Sequence, residues 1–328
     1  MSVIDTIKTK LNKSKKEVKI VYPEGWNADI IECVKKIVAQ TKNVKPILLF
    51  RKKDEVPNDL PLSIQTIIID SINTDKYANA IYEARKSKGI TKEEAEKLAK
   101  APNFLASTMV SLDEADAEIC GIEYSTADTL RAALQIVGPS PECPRVCSGF
   151  IMEKEDTRYV FGDASLNIDP DAEQLAAIAK SLGYFAKEIA CISKPRIALL
   201  SYSTNGSGKG PSVNKVREAY KIVSVDEKFT SNFKIYGEIQ FDAAFDLAIM
   251  RKKAKNLDWT EQANVYVFPD INAGNISYKV AERIGKFNAI GPVILGLKKP
   301  VNDLSRGAKA QDVLNLSYIT AWQSMSKL

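Results

Sequence analysis

Along the 328 residues, short apolar runs alternate with longer segments whose apolar side chains recur at helical spacing. Val18 to Pro23 (VKIVYP) is a first apolar run, closed by Pro23-Glu24-Gly25. Asp29 to Gln40 follows with Ile30, Cys33, Val34, Ile37 and Val38 on one side, the pattern of an amphipathic helix. Pro46 to Phe50 (PILLF) and Thr66 to Asp70 (TIIID) are two further short strands. Strands alternating with helices imply parallel βαβ units, so the pattern predicts a doubly wound α/β sheet.

Thr74 to Ala101 is polar, basic and helical, and carries Arg85-Lys86-Ser87-Lys88-Gly89. This is a solvated face with a turn at Gly89, or an arm that contacts phosphate. Tyr124 to Val137 opens with Ser125-x-x-Asp128, which puts Arg131 about one turn into a helix. A hydroxyl-rich helix start followed by arginine suits an oxyanion, and ordinary capping uses the same residues. Gly138 to Pro144 has three prolines in seven residues and marks a domain boundary.

Beyond it the pattern predicts a strand at Tyr159–Asp163, a helix at Pro170–Ala190 and a strand at Arg196–Ser201. Tyr202 to Ser212 (YSTNGSGKGPS) then leads into a helix at Val213–Val223. Its glycines, lysine and hydroxyls suit an anion cradle, although the G-x-G-x-G spacing fails both the Walker A and the dinucleotide patterns. Lys234–Gln240 and Val265–Phe268 are strands, followed by polar turns at Phe241-Asp242 and Pro269–Asn275, and Tyr278–Gly285 is a helix with Arg283. Gly291 to Leu297 reads as a buried strand and Val313 to Met325 as a helix. Between them, Lys299 to Asp312 (KPVNDLSRGAKAQD) holds Asp303, Ser305, Arg306, Gly307 and Asp312. A segment between strand end and helix start is where α/β folds place ligand chemistry, and capping by Asp303 or Ser305 is the plainer use.

Composition narrows the chemistry. Hydrophobic residues make up 45% and charged ones 27%, as in an ordinary globular protein. The net charge of +5 is diffuse, suited to a small polyanion and too scattered to indicate nucleic acid. No apolar run approaches the roughly 18 residues of a membrane span. The N-terminus has only Val3, Ile4, Ile7 and Leu11 as apolar residues, at helical spacing, so a cytoplasmic location is expected. Cys33, Cys120, Cys143, Cys147 and Cys191 are expected to be free thiols, and no metal site is expected. The chain has no histidine, so any general base must be Asp, Glu, Lys, Tyr or Cys. Only ten of the 46 basic residues are arginine, which gives an arginine inside a motif more weight.

These segments, in this order, resemble the phosphate acetyltransferase (phosphotransacetylase) family along nearly the whole chain. The resemblance rests on the early PEG, ARKSKG, STADTLRAALQ, FGDASLN, SYSTNGSGKGPSVNKVREA, GEIQFDAA, FPDINAGNISYK and GPVILGLKKPVNDLSRGA. It implies two doubly wound α/β domains with a cleft between them, similar to the isocitrate/isopropylmalate dehydrogenase group. The first would comprise residues 1–141 with 296–328 and the second residues 142–295. It also implies reversible acetyl transfer between CoA and phosphate, with CoA, acetyl phosphate and phosphate as the molecules bound. No tightly bound cofactor is expected, stimulation by K+ or NH4+ is, and so are a homodimer and acetate kinase as metabolic neighbour.

By the same resemblance Asp312 would take the thiol proton, against a partly apolar wall at Leu316 and Ile319. Ser305 and Arg306 would stabilise the oxyanion and hold phosphate, with Arg283 assisting. Arg85 and Arg131 would contact CoA. Ser125, Thr126, Thr129 and the loop residues Ser203, Thr204, Gly206 and Ser207 would be further phosphate contacts. The chain departs from the family at Ala164, where members often have cysteine, and at Ala308; the first departure favours direct attack by CoA over an acyl-enzyme. Phosphate butyryltransferase, an NAD(P)-dependent decarboxylating dehydrogenase and a non-catalytic acyl-phosphate or CoA-binding module are the alternatives.

Overall fold

The computed structural model describes residues 1–141, 143 and 145–326. The expected boundary residues Glu142 and Pro144, and the chain end at Leu328, lie outside the described residues. The chain forms two compact units. An N-terminal unit comprises Ile4–Pro141 and the chain from Leu297 onward, and a middle unit comprises Met1–Val3 and the segment ending at Gly296.

In chain order the elements begin with α1 (Val3–Lys13), β1 (Val18–Tyr22), α2 (Ala28–Gln40), β2 (Val44–Phe50) and β3 (Gln65–Ile68). Next come α3 (Asp75–Arg85), α4 (Lys92–Ala99), α5 (Pro102–Ser111), β4 (Ala117–Cys120) and α6 (Thr126–Ala132). The middle segment contributes β5 (Cys147–Lys154), β6 (Thr157–Gly162), α7 (Ala172–Glu188), β7 (Arg196–Leu200), α8 (Pro211–Ser224) and α9 (Glu227–Thr230). It continues with β8 (Lys234–Ile239), α10 (Phe241–Phe245), α11 (Leu247–Lys253), β9 (Val265–Val267), α12 (Ile271–Arg283) and β10 (Asn288–Leu295). The chain returns to the first unit with β11 (Val301–Asp303) and α13 (Ala310–Met325). Among the described residues no helix is long and apolar enough to cross a membrane.

The N-terminal unit holds a sheet of order β11-β4-β1-β2-β3 in which every pair is parallel. The near-continuous apolar runs of β1 and β2 are what strands covered on both faces require. Helix α2 buries Ile30, Cys33, Val34 and Ile37 and packs beside α13, and α5 packs on β1, β2 and β4. The predicted helical stretch Thr74–Ala101 breaks at Gly89, which sits in the left-handed region at φ 87° between α3 and α4.

The apolar strand at Gly291–Leu297 does not lead directly into Lys299–Asp312, as the sequence pattern suggested. It is the end of β10, in the middle unit's sheet, and the segment after it contains a strand of its own, β11, in the other sheet. The wall imagined for the last helix is fully internal: Leu316 and Ile319 are buried.

Within β4, Glu118 is wholly buried and receives a hydrogen bond from Ser107 Oγ at 2.7 Å, and its Oε1 has no hydrogen-bond partner. Burial, with the nearby Glu24 carboxyl, pushes the Glu118 carboxyl up to about 8. A carboxyl whose folded-state pKa is raised contributes stability present below its ordinary value and lost as pH rises through about 8. Glu118→Gln removes that loss. Its thermal midpoint minus that of the wild type is expected to become more positive from pH 5 to pH 9, and a difference that does not change with pH contradicts this placement.

The middle unit's sheet has the order β10-β5-β6-β9-β7-β8. Strands β6, β9, β7 and β8 are parallel, as the alternation predicts. Strands β10, β5 and β6 pair antiparallel and make the sheet mixed. Helix α12 starts at Ile271, capped by Asp270 accepting the Ala273 amide at 3.0 Å, so Pro269–Asn275 is a helix start rather than a turn. Gly274 inside it is a close-approach glycine: a Cβ there would lie 2.3 Å from the Asp163 carbonyl oxygen.

Candidate active site

Three neighbouring strands of the N-terminal unit, β1, β4 and β11, end side by side. The C-terminal edge of an open parallel sheet is the usual ligand-binding edge of such folds. After β1 comes Glu24, fully buried, whose carboxylate accepts four backbone amides. Gly121 and Ile122 donate to Oε2 at 3.1 and 3.2 Å, and Glu123 and Tyr124 donate to Oε1 at 2.8 and 2.9 Å. Burial raises the Glu24 carboxyl above its ordinary value against the pull of those amides. Glu24 thereby shapes the loop from β4 to α6.

At the tip of β11, Asp303 is 3% exposed and accepts the Thr126 hydroxyl on Oδ2 at 2.6 Å. It does not cap the last helix. Burial pushes its carboxyl up to about 6. Gly121, at φ 107°, is the residue this carboxylate demands, because a Cβ there would lie 2.2 Å from Asp303 Oδ1.

Ser305 and Arg306 follow immediately and are exposed. Among the described residues Arg306 has neither a hydrogen-bond nor an ion-pair partner, and Ser305 Oγ accepts only the Gly307 amide at 3.4 Å. Asp312 lies in the first turn of α13, where Oδ2 accepts the Lys309 amide at 2.9 Å. The next amide, Ala310, is taken by Asp29 Oδ1 at 2.9 Å. Asp312 is exposed, so this unit's own side chains do not give it the apolar wall expected from Leu316 and Ile319. Leu316 and Ile319, one and two turns further along the same side of the helix, are buried, whereas Asp312 in the first turn is not. Capping and an available carboxylate oxygen coexist at Asp312.

Ser125 caps α6: its Oγ accepts the Asp128 amide at 3.1 Å and donates to Asp128 Oδ2 at 2.6 Å. Arg131, exposed, pairs with Asp128 Oδ1 at 2.9 Å. Thr126 spends its hydroxyl on Asp303. Thr129 is buried, with its hydroxyl against Cys120 Sγ at 3.4 Å, so it is not a surface contact for phosphate; it lies on the inward face of the helix. Arg85, half-buried at the end of α3, has no hydrogen-bond or ion-pair partner among the described residues.

In the middle unit the loop read as a phosphate cradle already holds an anion, the chain's own Glu238. Glu238 Oε1 accepts the Ser203 hydroxyl at 2.7 Å and the Gly206 amide at 2.9 Å, and Arg217 clamps both oxygens from 2.7 and 3.0 Å. Burial opposes the charge, but Arg217, the Gly206 amide and the Ser203 hydroxyl together hold this carboxyl down at about 2. Ser203 and Thr204 are buried, and Ser207 Oγ receives the Thr204 amide at 3.0 Å. As folded, Ser203, Thr204 and Gly206 build the loop rather than present donors to a ligand. Arg283, at the end of α12, is exposed and pairs with Glu282 at 3.3 Å. Asp163, after β6, is a similar hub: it accepts the amides of Ser165, Leu166 and Asn167 and the Ser148 hydroxyl.

Glu24, Asp163, Glu238 and Asp303 were not among the residues singled out from the sequence as site residues. For Glu24, Asp163 and Glu238 the signal is there nonetheless: each is an acid inside or just after an apolar strand run, a costly place for a charge unless it has a task, whereas Asp303 reads as loop. Among the described residues no group of three or more metal-ligating side chains is close enough to share a metal ion.

The model of the family described as Phosphate acetyl/butaryl transferase matches residues 2–321. The chain is 42% identical to the phosphate acetyltransferase of Mycoplasma genitalium over 99% of its own length and 100% of that protein. It is 40% identical to the phosphate acetyltransferase of Bacillus subtilis over 94% of its length and 96% of that protein. A phosphotransacetylase structure from Streptococcus pyogenes superposes with a TM-score of 0.91 at 38% identity, covering 98% of each chain. On these matches the chain belongs to the phosphate acetyl/butaryl transferase family.

Proposed function

We propose that the protein catalyses acetyl-CoA + phosphate ⇌ acetyl phosphate + CoA by direct thiolate attack in a ternary complex. The observation that carries this reading is the segment after β11: Ser305 and Arg306 are exposed, with Arg306 unpaired among the described residues, and Asp312 stands one helical turn into α13. In the direction of thioester synthesis, Asp312 accepts the CoA thiol proton and the sulfur attacks the acetyl carbon. The carbonyl oxygen becomes an oxyanion stabilised by Ser305 and Arg306. The acyl C–O bond then breaks, and phosphate leaves held by arginine, with Arg283 assisting. Direct transfer is supported by the alanine at position 164 and by the burial of three of the five cysteines. Position 164 is a buried alanine, and burial pushes the thiols of Cys120 and Cys147 far up and that of Cys33 to about 12.

Arg85 and Arg131 are the cations we assign to CoA. Arg85→Ala and Arg131→Ala are each expected to raise KM for CoA by roughly 5–150-fold, corresponding to about 1–3 kcal/mol of lost charge-assisted bonding, with kcat nearly unchanged. A fall in kcat at unchanged KM contradicts that assignment. Acetyl is favoured over butyryl because the relatives named above are phosphate acetyltransferases. The test is an acyl-phosphate series with CoA, read as thioester formed: kcat/KM is expected to be greatest with acetyl phosphate, and a maximum with butyryl phosphate overturns the acyl assignment.

A homodimer is supported by apolar surface on the middle unit. Ile276 and Val280 on α12 and Ile284 just after it are exposed at helical spacing, and Ala281 of the same helix lines a cavity of about 190 Å³ together with Phe241 and Phe245 among others. Stimulation by K+ or NH4+ and acetate kinase as metabolic neighbour belong to the same proposal and rest on the family resemblance.

A further inference from the structure

Among the described residues, the hydrogen bonds that tie down the loop carrying Ser305 and Arg306 lie at its two ends. Its far end is fixed by Asp312 and Asp29, which accept the amides of Lys309 and Ala310. Its near end is fixed by β11: the Leu304 amide donates to the Cys120 carbonyl at 2.7 Å, and Asp303 accepts Thr126 Oγ1. Between these anchors the loop has little internal bonding, namely the Gly307 and Ala308 amides on Ser305.

Asp303 is an odd choice for a purely structural anchor. Its Oδ1 is buried without a hydrogen-bond partner, and the groups facing it are Glu24, Cys120, Thr126 and Thr129, none of them a cation. Desolvating a carboxylate to this extent costs stability. The arrangement also obliges Gly121 to stay side-chain-free. What that cost secures is the bond to Thr126, and that bond joins two elements. Thr126 opens the helix that carries Arg131, and Asp303 precedes Ser305 by two residues.

We propose that Asp303 and Thr126 form a positioning latch for acyl transfer, setting the Ser305–Arg306 loop in register with the first turn of α6. Thr126 then acts through Asp303 and not as a phosphate contact. The proposal rests on the assignment of Ser305 and Arg306 to the acyl phosphate. Misplacing catalytic groups by about 1 Å is enough to cost roughly 10²-fold in rate, so a latch of this kind acts on kcat.

The experiment measures kcat and KM for CoA and acetyl phosphate in Thr126→Val, Thr126→Ser, Asp303→Ala and the Thr126→Val/Asp303→Ala pair, alanine being the change that leaves Thr126 no acceptor. Thr126→Val and Asp303→Ala are each expected to lower kcat by roughly 10–100-fold, with KM for CoA within about twofold of wild type. Thr126→Ser keeps the hydroxyl and should recover most of the rate. The pair should be no slower than its slower member, because both changes break one bond. Thr126→Val with raised KM for CoA and intact kcat makes Thr126 a substrate contact and overturns the latch. So does an unchanged kcat in Thr126→Val, or a serine variant as slow as the valine one. Ser305→Ala and Arg306→Ala are run in parallel: if both keep the wild-type kcat, the assignment beneath the latch has failed, whatever the Thr126 variants do.

Discussion

Replacing Asp312 by asparagine is expected to lower kcat by roughly 10²–10⁴-fold while the fold and the KM for CoA stay close to wild type. The amide cannot take a proton from the CoA thiol, so the loss appears in the chemical step. The same residue accepts the Lys309 amide at the start of α13, and a careless substitution would confuse the two roles. Asparagine keeps an acceptor oxygen for that amide; alanine does not. Asp312→Ala should therefore share the kcat loss and in addition lose about 0.5–2 kcal/mol of stability, the usual worth of such a cap. Equal stability losses in both variants, or a kcat in Asp312→Asn within a few-fold of wild type, would refute the division between base and cap.

The largest structural effect is expected at Glu24. In Glu24→Gln one carboxylate oxygen becomes an amino group facing backbone N–H groups, either those of Gly121 and Ile122 or those of Glu123 and Tyr124. Two amides in or near the interior lose their acceptor, at about 1–3 kcal/mol each. A loss of about 2–6 kcal/mol in chemical denaturation follows, with weakened CoA binding because the same loop leads into Ser125 and Arg131. A variant within about 1 kcal/mol of wild type would mean the four amides find other partners and that Glu24 does not shape the loop.

Much of the architecture was legible from the alternation of apolar runs and helical periods. The runs at β1, β2, β7 and β8 and the amphipathic patterns of α2, α7 and α8 all correspond to elements of the structure. What escaped has physical causes. Helix α5 is buried along Pro102–Val110, so it has no polar face and no amphipathic period to detect. Strand β5 is covered on both faces for seven residues and shows no alternation. Strand β4 carries Glu118 in its middle, and β11 ends on Asp303, acids that read as loop. The start of α12 reads as a turn because Asn272-Ala273-Gly274 suits one, whereas Gly274 answers to the Asp163 backbone pressed against it.

The site shows the same division. Ser305, Arg306, Arg85 and Arg131 stood out because arginine is scarce and because motif order matched a family, and the structure leaves these four at least partly accessible. Thr129, Ser203, Thr204 and Gly206 were credited with ligand contacts that they spend internally. Letters in a strand–loop–helix segment cannot tell a donor aimed at a ligand from one aimed at an internal acid, since both need the same hydroxyls and glycines. The deciding residue in each case was distant in sequence: Glu238 for the Ser203 loop, Asp303 for Thr126.

The central claim is that acetyl passes directly between phosphate and CoA with no acyl-enzyme between them. Isotope exchange tests it most directly: the purified protein is incubated with acetyl phosphate and labelled inorganic phosphate, with and without CoA. Label is expected to enter acetyl phosphate only when CoA is present, because phosphate can return only by attacking acetyl-CoA. Label entering acetyl phosphate without CoA, or failing to enter with it, would contradict the account.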